Sequence, residues 1–251
     1  MRTFAIAQQK GGVGKTTSAA NLGASFAAMG RRVLAVDCDP QGSLTLTLGT
    51  DPVGVTSTVG DAMLAGAPMP VLKTPVSGLE LCPATRLLAD AEFQLAPKVG
   101  RERYLARTLS RTAAAYDIVI LDCPPSLGLL TINCLTAAEA VLVPVTPSLL
   151  GTAGLRDLLA TVEEIREGIN PALRIGGIFV TFADPRTVAG RRAEAELRED
   201  LGDLVLHTTI GRRIAHEYSA QAGLPVVALE PDSPAATEYR ALAEEVLGRV
   251  P

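Results

Sequence analysis

No tryptophan occurs in the 251 residues, histidine occurs twice, and aromatic residues make up 4% of the chain. Its core must therefore be built from aliphatic side chains, for which a 47% hydrophobic content is ample, with charged residues at 20%. That balance excludes a disordered chain. Four cysteines, Cys38, Cys82, Cys123 and Cys134, stand far apart without a C-x-x-C pair. The spacing argues against a zinc knuckle or a cluster cradle. It leaves the thiols as small buried hydrophobes in a reducing cytosol, with a bridge between subunits as the other use. No apolar run approaches the roughly 18 residues of a membrane span. The first residues run straight into a glycine loop without a signal-peptide core, so a soluble, unexported protein is expected. A net charge of −4 excludes a global attraction to nucleic acid, and any such binding would need a local basic patch. Lysine is also scarce, at positions 10, 15, 73 and 98, and two of the four sit in one glycine loop.

Apolar, β-rich runs alternate with helical patterns. Strands are expected at 3–7, 32–36, 79–82, 117–121, 140–145 and 175–181, and helices at 16–29, 101–115, 151–167, 188–201 and 234–247. Near-continuous apolar strands alternating with helices imply a mostly parallel central sheet flanked by helices on both faces, an α/β fold. The segment 49–77, rich in Gly, Pro and Thr, reads as an excursion with one short helix at 59–65. With no long linker, repeat or low-complexity tract, a single domain over 1–251 is expected.

The strongest local signal is Gln9-Lys10-Gly11-Gly12-Val13-Gly14-Lys15-Thr16-Thr17, between an expected strand and an expected helix. Glycines let backbone N–H groups converge on phosphate oxygens, and the helix start adds a favourable field. In such a loop Lys15 reaches the β- and γ-phosphates and the Thr16 hydroxyl ligates Mg²⁺. The strict G-x-x-x-x-G-K-[ST] pattern requires glycine at position 9, where Gln9 stands. Lys10 is a second cation, able to reach phosphates held by another subunit or to remain solvated beside the ligand. Asp37 and Asp39 end an apolar strand, and the Pro40-Gln41-Gly42 turn frees Asp39 to face the γ-phosphate and its attacking water. The hydrophobic strand 117–121 runs into Asp122, a carboxylate placed to hold Mg²⁺ directly or through water.

These stretches, together with Leu121-Asp122-Cys123-Pro124-Pro125-Ser126, resemble the deviant-Walker-A P-loop ATPases, and most closely the ParA/Soj partition family. The resemblance covers essentially the whole chain. It implies that ATP and Mg²⁺ bind between two protomers, Lys10 of each reaching the other's phosphates. Lys10, Lys15 and Asp39 would be catalytic, with ATP held by Lys10, Gly11, Gly12, Val13, Gly14, Lys15, Thr16 and Thr17. Thr16 and Asp122 would support the metal. Gly12 would lie at the dimer contact, where a bulky side chain blocks closure. The implied ATP-bound homodimer holds double-stranded DNA non-specifically in the cytoplasm, on the nucleoid. A ParB-type centromere-binding partner stimulates hydrolysis, and a chromosome or plasmid is segregated. Three departures stand out. Thr146-Pro147-Ser148-Leu149-Leu150 replaces a Glu-Tyr-Tyr stretch. Gly211-Arg212-Arg213 replaces a Pro-Arg-Asn turn near the adenine, which makes Arg212 a nucleotide contact. Glu217-Tyr218-Ser219-Ala220 replaces Ala-Glu-Ala-Pro.

For DNA, Arg103, Arg107 and Arg111 recur every fourth residue, a spacing that lines one helix face. Arg186 matches an arginine of a family turn linked to DNA contact, and Arg191 and Arg192 are further candidates beside several acidic residues. The chain opens at its first strand, so no preceding helix-turn-helix is expected and sequence-specific repression is not. The competing reading is a MinD-like or cargo-positioning ATPase acting on a membrane or a protein. The C-terminal helix lacks the basic amphipathic face that membrane docking needs, so no membrane partner is expected. His207 and His216 read as packing or surface residues.

Overall fold

The structure, a computed structural model, describes residues 1–147, 152–184 and 186–250. In chain order the described elements are β1 (Arg2–Ile6), α1 (Lys15–Ala28), β2 (Val33–Asp37), α2 (Ser43–Thr47), α3 (Val59–Ala65), β3 (Leu72–Lys73), β4 (Leu79–Cys82), α4 (Leu87–Leu95), α5 (Tyr104–Ser110) and β5 (Ile118–Asp122). They continue with α6 (Leu129–Ala137), β6 (Ala140–Val145), α7 (Thr152–Gly168), β7 (Arg174–Val180), α8 (Val188–Leu201), α9 (Ala215–Ala222), α10 (Val226–Leu229) and α11 (Pro234–Arg249). The strands form one sheet in the order β3-β4-β2-β5-β1-β6-β7, parallel throughout except for the short edge strand β3.

Period-two alternation sends strand residues to two apolar layers. Ala5, Leu34, Val36, Val119, Leu121 and Val141 face one, covered by helices α3 to α7. Phe4, Ile6, Val33, Ala35, Ile118 and Ile120 face the other, covered by α1, α10 and α11. Helices therefore lie on both faces, as expected for central strands that are apolar at nearly every position. Pro144 is tolerated in β6 because it lies beyond Leu142, the last residue paired with β1, where no ladder bond needs its missing N–H.

The ends of three neighbouring strands are level: Ile6 of β1 and Asp37 of β2 both sit opposite Asp122 of β5. The chain leaves β1 towards β2 on one side and later passes from β5 to β6 on the other. The loops after β1, β2 and β5 thus meet at a topological switch point, where open α/β sheets bind ligands.

All four cysteines are buried and free, as expected. Cys38, Cys123 and Cys134 share one apolar layer, and burial holds the Cys134 thiol protonated. Among the described residues no group of three or more His, Cys, Asp or Glu side chains is placed to hold a metal ion. The expected helix 101–115 is instead a 3-10 turn (Arg101–Arg103), the two-turn α5 and a second 3-10 turn (Ala113–Ala115). Arg103, at φ −109 and ψ 3, and bonds tightened to i−3, such as Arg111 N–H to Thr108 O, divide it.

Candidate nucleotide-binding site

The glycine loop joins β1 to α1. Gly12 and Gly14 have φ values of 71 and 85, the left-handed region that only glycine enters cheaply. A Cβ on Gly11 or Gly12 would meet nothing within 4 Å, so both backbones border open space. Helix α1 starts at Lys15 with no side-chain cap on Gly14 and no acidic residue in its first turn. Its leading N–H groups and the positive end of its dipole are consequently left for an external anion. Above the loop lies a cavity of about 430 Å³ bordered by Gly11, Gly12, Lys15, Thr16, Asp39 and Pro125.

Lys15 is only 7% exposed, and its Nζ donates to the backbone carbonyl of Lys10 at 3.4 Å. Burial pushes its pKa down, against the attraction of Asp122, Cys123 and Asp39. Thr16 Oγ1 donates to Asp122 Oδ2 at 2.7 Å. Asp122 is fully buried, which raises its pKa well above the carboxylate range. Repulsion from Asp37 adds to the rise, while the Thr16 bond and Lys15 oppose it. Asp122 Oδ1 is buried without a hydrogen-bond partner. That orphaned oxygen and the Thr16 hydroxyl are the hard donors Mg²⁺ takes together with phosphate oxygens and water, so the residues fit a magnesium ion delivered with a nucleotide.

The two aspartates at the end of β2 divide their work. Asp37 is buried, accepting from the backbone N–H of Asp39 (3.1 Å), the N–H of Thr45 (2.8 Å) and the Thr45 hydroxyl (2.7 Å). Burial raises its pKa to about 6 in spite of these donors. It ties the 38–45 segment to the sheet, a role sequence reading did not assign. Asp39 borders the cavity, and its Oδ1 accepts from Gln41 N–H at 2.9 Å, an Asx turn that fixes the carboxylate over the loop. Lys10 is half-buried at the loop's start.

A second cavity of about 560 Å³ adjoins the first across Gly12, Thr17 and Ala220. Phe182, His216, Glu217 and the exposed Arg212 border it. Arg212 borders this cavity, while Arg213 pairs with Glu238. Thr146 and Pro147 border the same cavity, and positions 148–150 of that departure lie outside the described residues. Phe182 has φ 53 and is the one non-glycine among the described residues at positive φ. A bulky side chain there costs on the order of 1–2 kcal/mol. Its neighbours impose the conformation. Thr181 N–H bonds Val145 O (2.8 Å), the Thr181 hydroxyl bonds Val13 O in the glycine loop (2.8 Å), and Ala183 bridges to Gly211. Nothing in the sequence pattern marked Thr181, Phe182 or His216 as parts of a site.

The arginines expected to meet DNA are dispersed and largely engaged. Arg103 donates to Ile169 O (3.3 Å), Arg107 lies over the Tyr104 ring (5.5 Å), and Arg111 donates to Gly66 O. The spacing assumed one helix; Arg103 precedes α5 and Arg111 follows it, while Arg103 and Arg107 still border one surface cavity. Arg186 is held by Asp184 through two side-chain bonds of 2.9 and 3.0 Å, and Arg192 pairs with Glu196 at 2.8 Å. Arg191 is exposed on α8.

A glycine loop with a buried lysine at a helix start, facing strand-end carboxylates at a switch point, defines a P-loop nucleotide-binding protein. Comparison with known proteins narrows the class. The AAA domain family matches residues 1–175. The chain is 45% identical over 251 residues to the chromosome-partitioning ATPase Soj of Thermus thermophilus, covering 100% of this chain and 97% of that protein. It is 42% identical over 247 residues to the sporulation initiation inhibitor protein Soj of Bacillus subtilis, covering 98% of each. Among solved structures, cobyrinic acid a,c-diamide synthase of Mycobacterium smegmatis with bound ADP and magnesium superposes with a TM-score of 0.85 at 37% identity, over 98% of this chain and 94% of that one. The chain belongs to the ParA/Soj family of AAA-domain ATPases. ATP and Mg²⁺ are its cofactors.

Proposed function

We propose that the protein is a slow, Mg²⁺-dependent ATPase that dimerises on ATP, holds duplex DNA non-specifically and helps segregate a chromosome or plasmid with a ParB-type partner. The observation that carries the enzymatic part is the cavity beside Lys15, a buried cation bordered by Asp39 and by the Thr16–Asp122 pair. Lys15 and the loop N–H groups hold the β- and γ-phosphates, and Lys10 of a second protomer adds charge from across the dimer. Thr16 and Asp122 would hold the magnesium ion, which supplies charge neutralisation at the phosphate oxygens. Asp39 orients the water that attacks the γ-phosphorus as the bond to the β–γ bridging oxygen breaks. The partition role is supported by relatives named chromosome-partitioning ATPase and chromosome partitioning protein.

Asp39→Ala is expected to keep ATP within about threefold of the parent affinity and to lose turnover; undiminished turnover would remove Asp39 from the mechanism. The same variant tests the DNA role, by binding to arbitrary duplex with ATP and with ADP at two salt concentrations. Salt-sensitive binding with ATP alone supports partition. A second reading, a cargo-positioning ATPase acting on a protein, is favoured by α8, whose arginines 191, 192 and 198 are outnumbered by Glu194, Glu196, Glu199 and Asp200. ATP-driven dimers that ignore DNA would establish it. Among the described residues no helix is long and apolar enough to cross a membrane.

A further inference from the structure

The cavity beyond the phosphate loop has a single strained residue in its wall. Phe182 follows β7 in a left-handed conformation, and its flanking residues are pinned on both sides. Thr181 bonds β6 and the glycine loop, while Ala183 N–H bonds Ile210 O (3.1 Å) and Arg212 N–H bonds Ala183 O (3.0 Å). An unstrained backbone was open to the sequence, since glycine at 182 would enter this region freely. What the strain secures is the ring's position. Phe182 lies half-buried at the cavity wall, its Cζ 3.1 Å from where a Cβ on Gly14 would stand.

Behind it runs an aromatic ladder. The His216 ring meets Phe182 edge-on at 6.3 Å and Tyr239 edge-on at 5.7 Å, and Tyr239 Oη lies 3.3 Å from Ser18 Oγ on α1. His216 Nε2 faces Gly211 O at 3.4 Å, whereas its Nδ1 is buried without a partner. A charged imidazolium would have to be buried here, so the ring is neutral and serves as a second aromatic wall. Small residues (Gly12, Ala220) and polar ones (Thr17, Arg212, Glu217) complete a cavity of about 560 Å³ next to the phosphate loop. A flat heteroaromatic ring needs an aromatic face, and a sugar attached to it needs polar partners.

Given the loop as a nucleotide site, on which this rests, we propose that Phe182 is the stacking platform for the nucleobase and sets the preference for a nucleotide over a bare polyphosphate. A stacked base is tolerant of identity, because every base has a π-face. Discrimination at this wall is therefore between base and no base rather than among hydrogen-bonding edges.

The test compares MgATP with magnesium tripolyphosphate, which carries the phosphates without the base, by titration calorimetry on the full chain. Phe182→Leu keeps the apolar volume and removes the π-face, and Phe182→Tyr restores it. The expected result is an ATP affinity about tenfold lower in the Leu variant, near parental in the Tyr variant, with tripolyphosphate unchanged in both. Equal losses for the two ligands would make Phe182 a support of the glycine loop and overturn the proposal. Unchanged ATP affinity in the Leu variant would overturn it as well. A parent chain that binds neither ligand would remove the nucleotide site itself and the stacking role with it, whereas parental binding of both with no effect in Leu removes the stacking role alone.

Discussion

Lys15 carries its ammonium into an interior from which water is largely excluded, and its one described hydrogen bond is to a backbone carbonyl. An ammonium in that position is costly until an anion reaches it. Lys15→Ala should therefore lower ATP affinity about 100-fold or more, the worth of two lost charge-assisted bonds. Far-UV circular dichroism should be unchanged, and tight ATP binding in the variant would refute the phosphate-loop assignment. Asp37 makes a different prediction, about pH. Its folded pKa of about 6 lies above the 3.8 of an unperturbed aspartate, so between these values the folded chain binds more protons than the unfolded one. Stability of the nucleotide-free protein then falls as pH rises from about 4 to 6, by roughly 3 kcal/mol. Asp122, also raised by burial, contributes with the same sign. Urea denaturation at intervals of one pH unit should show this slope. Asp37→Asn, less stable overall because one of its three donors is left unmatched, should flatten the part below pH 6; an unaltered slope would place the titration elsewhere.

At the scale of elements, the glycine loop is held from the far side of the sheet. The Thr181 hydroxyl at the end of β7 donates to Val13 O, with Thr181 only 1% exposed. Thr181→Val keeps the shape and orphans that carbonyl, which costs about 1–3 kcal/mol. The variant should lose stability of that order in denaturant and several-fold in ATP affinity. A loss of stability without any loss of affinity would mean the loop holds its shape unaided. This support was invisible in the sequence because it depends on where β7 ends in space. What was legible had a strong local cause. Helix α3 matches its expected bounds, with Thr58 and Asp61 forming a reciprocal cap, and α8 matches through its charged 14-residue pattern. The central strands fall within a residue or so of expectation because burial on both faces makes them apolar at nearly every position. Helix α2 went unread because five residues after Gly42 are too few for a helical period to show. Helix α6 (LLTINCLTA) is apolar around much of its circumference and offers little contrast, and β3 is a two-residue edge pairing. The continuous helix expected over 101–115 failed for the opposite reason, since a helical period persists in the letters across breaks in the backbone. Within the site, Lys15, Thr16, Asp39 and Asp122 could be found by spacing. Phe182 and His216 could not, because the Ala183–Gly211 bridge that brings them together joins segments with no shared motif.

Across the whole molecule the net charge of −4 means that DNA binding, on the partition reading, must come from a few arginines presented locally. Arg186 and Arg192 must first be released from the acidic residues that hold them, Asp184 and Glu196. Arg186 is the clearest case. Its side chain is 88% exposed, yet both ends of its guanidinium fork are occupied by Asp184, the same bidentate geometry a phosphate would use. The Arg186 bonds hold the Asp184 carboxyl at a pKa of about 2, so the pair stays fully ionised at neutral pH and DNA must compete with it. Two variants separate the arginine from its guard. Arg186→Ala should weaken binding of the ATP-bound protein to any duplex alike, and should lower the slope of log affinity against log salt by about one. Asp184→Asn frees the fork and removes a negative charge beside the phosphates. It should tighten binding several-fold at low salt, with the gain shrinking as salt screens it. If both variants leave affinity and salt slope where they were, Arg186 lies off the DNA path. The contact would then have to come from another exposed arginine, with Arg212, at the rim of the nucleotide cavity, the first to replace.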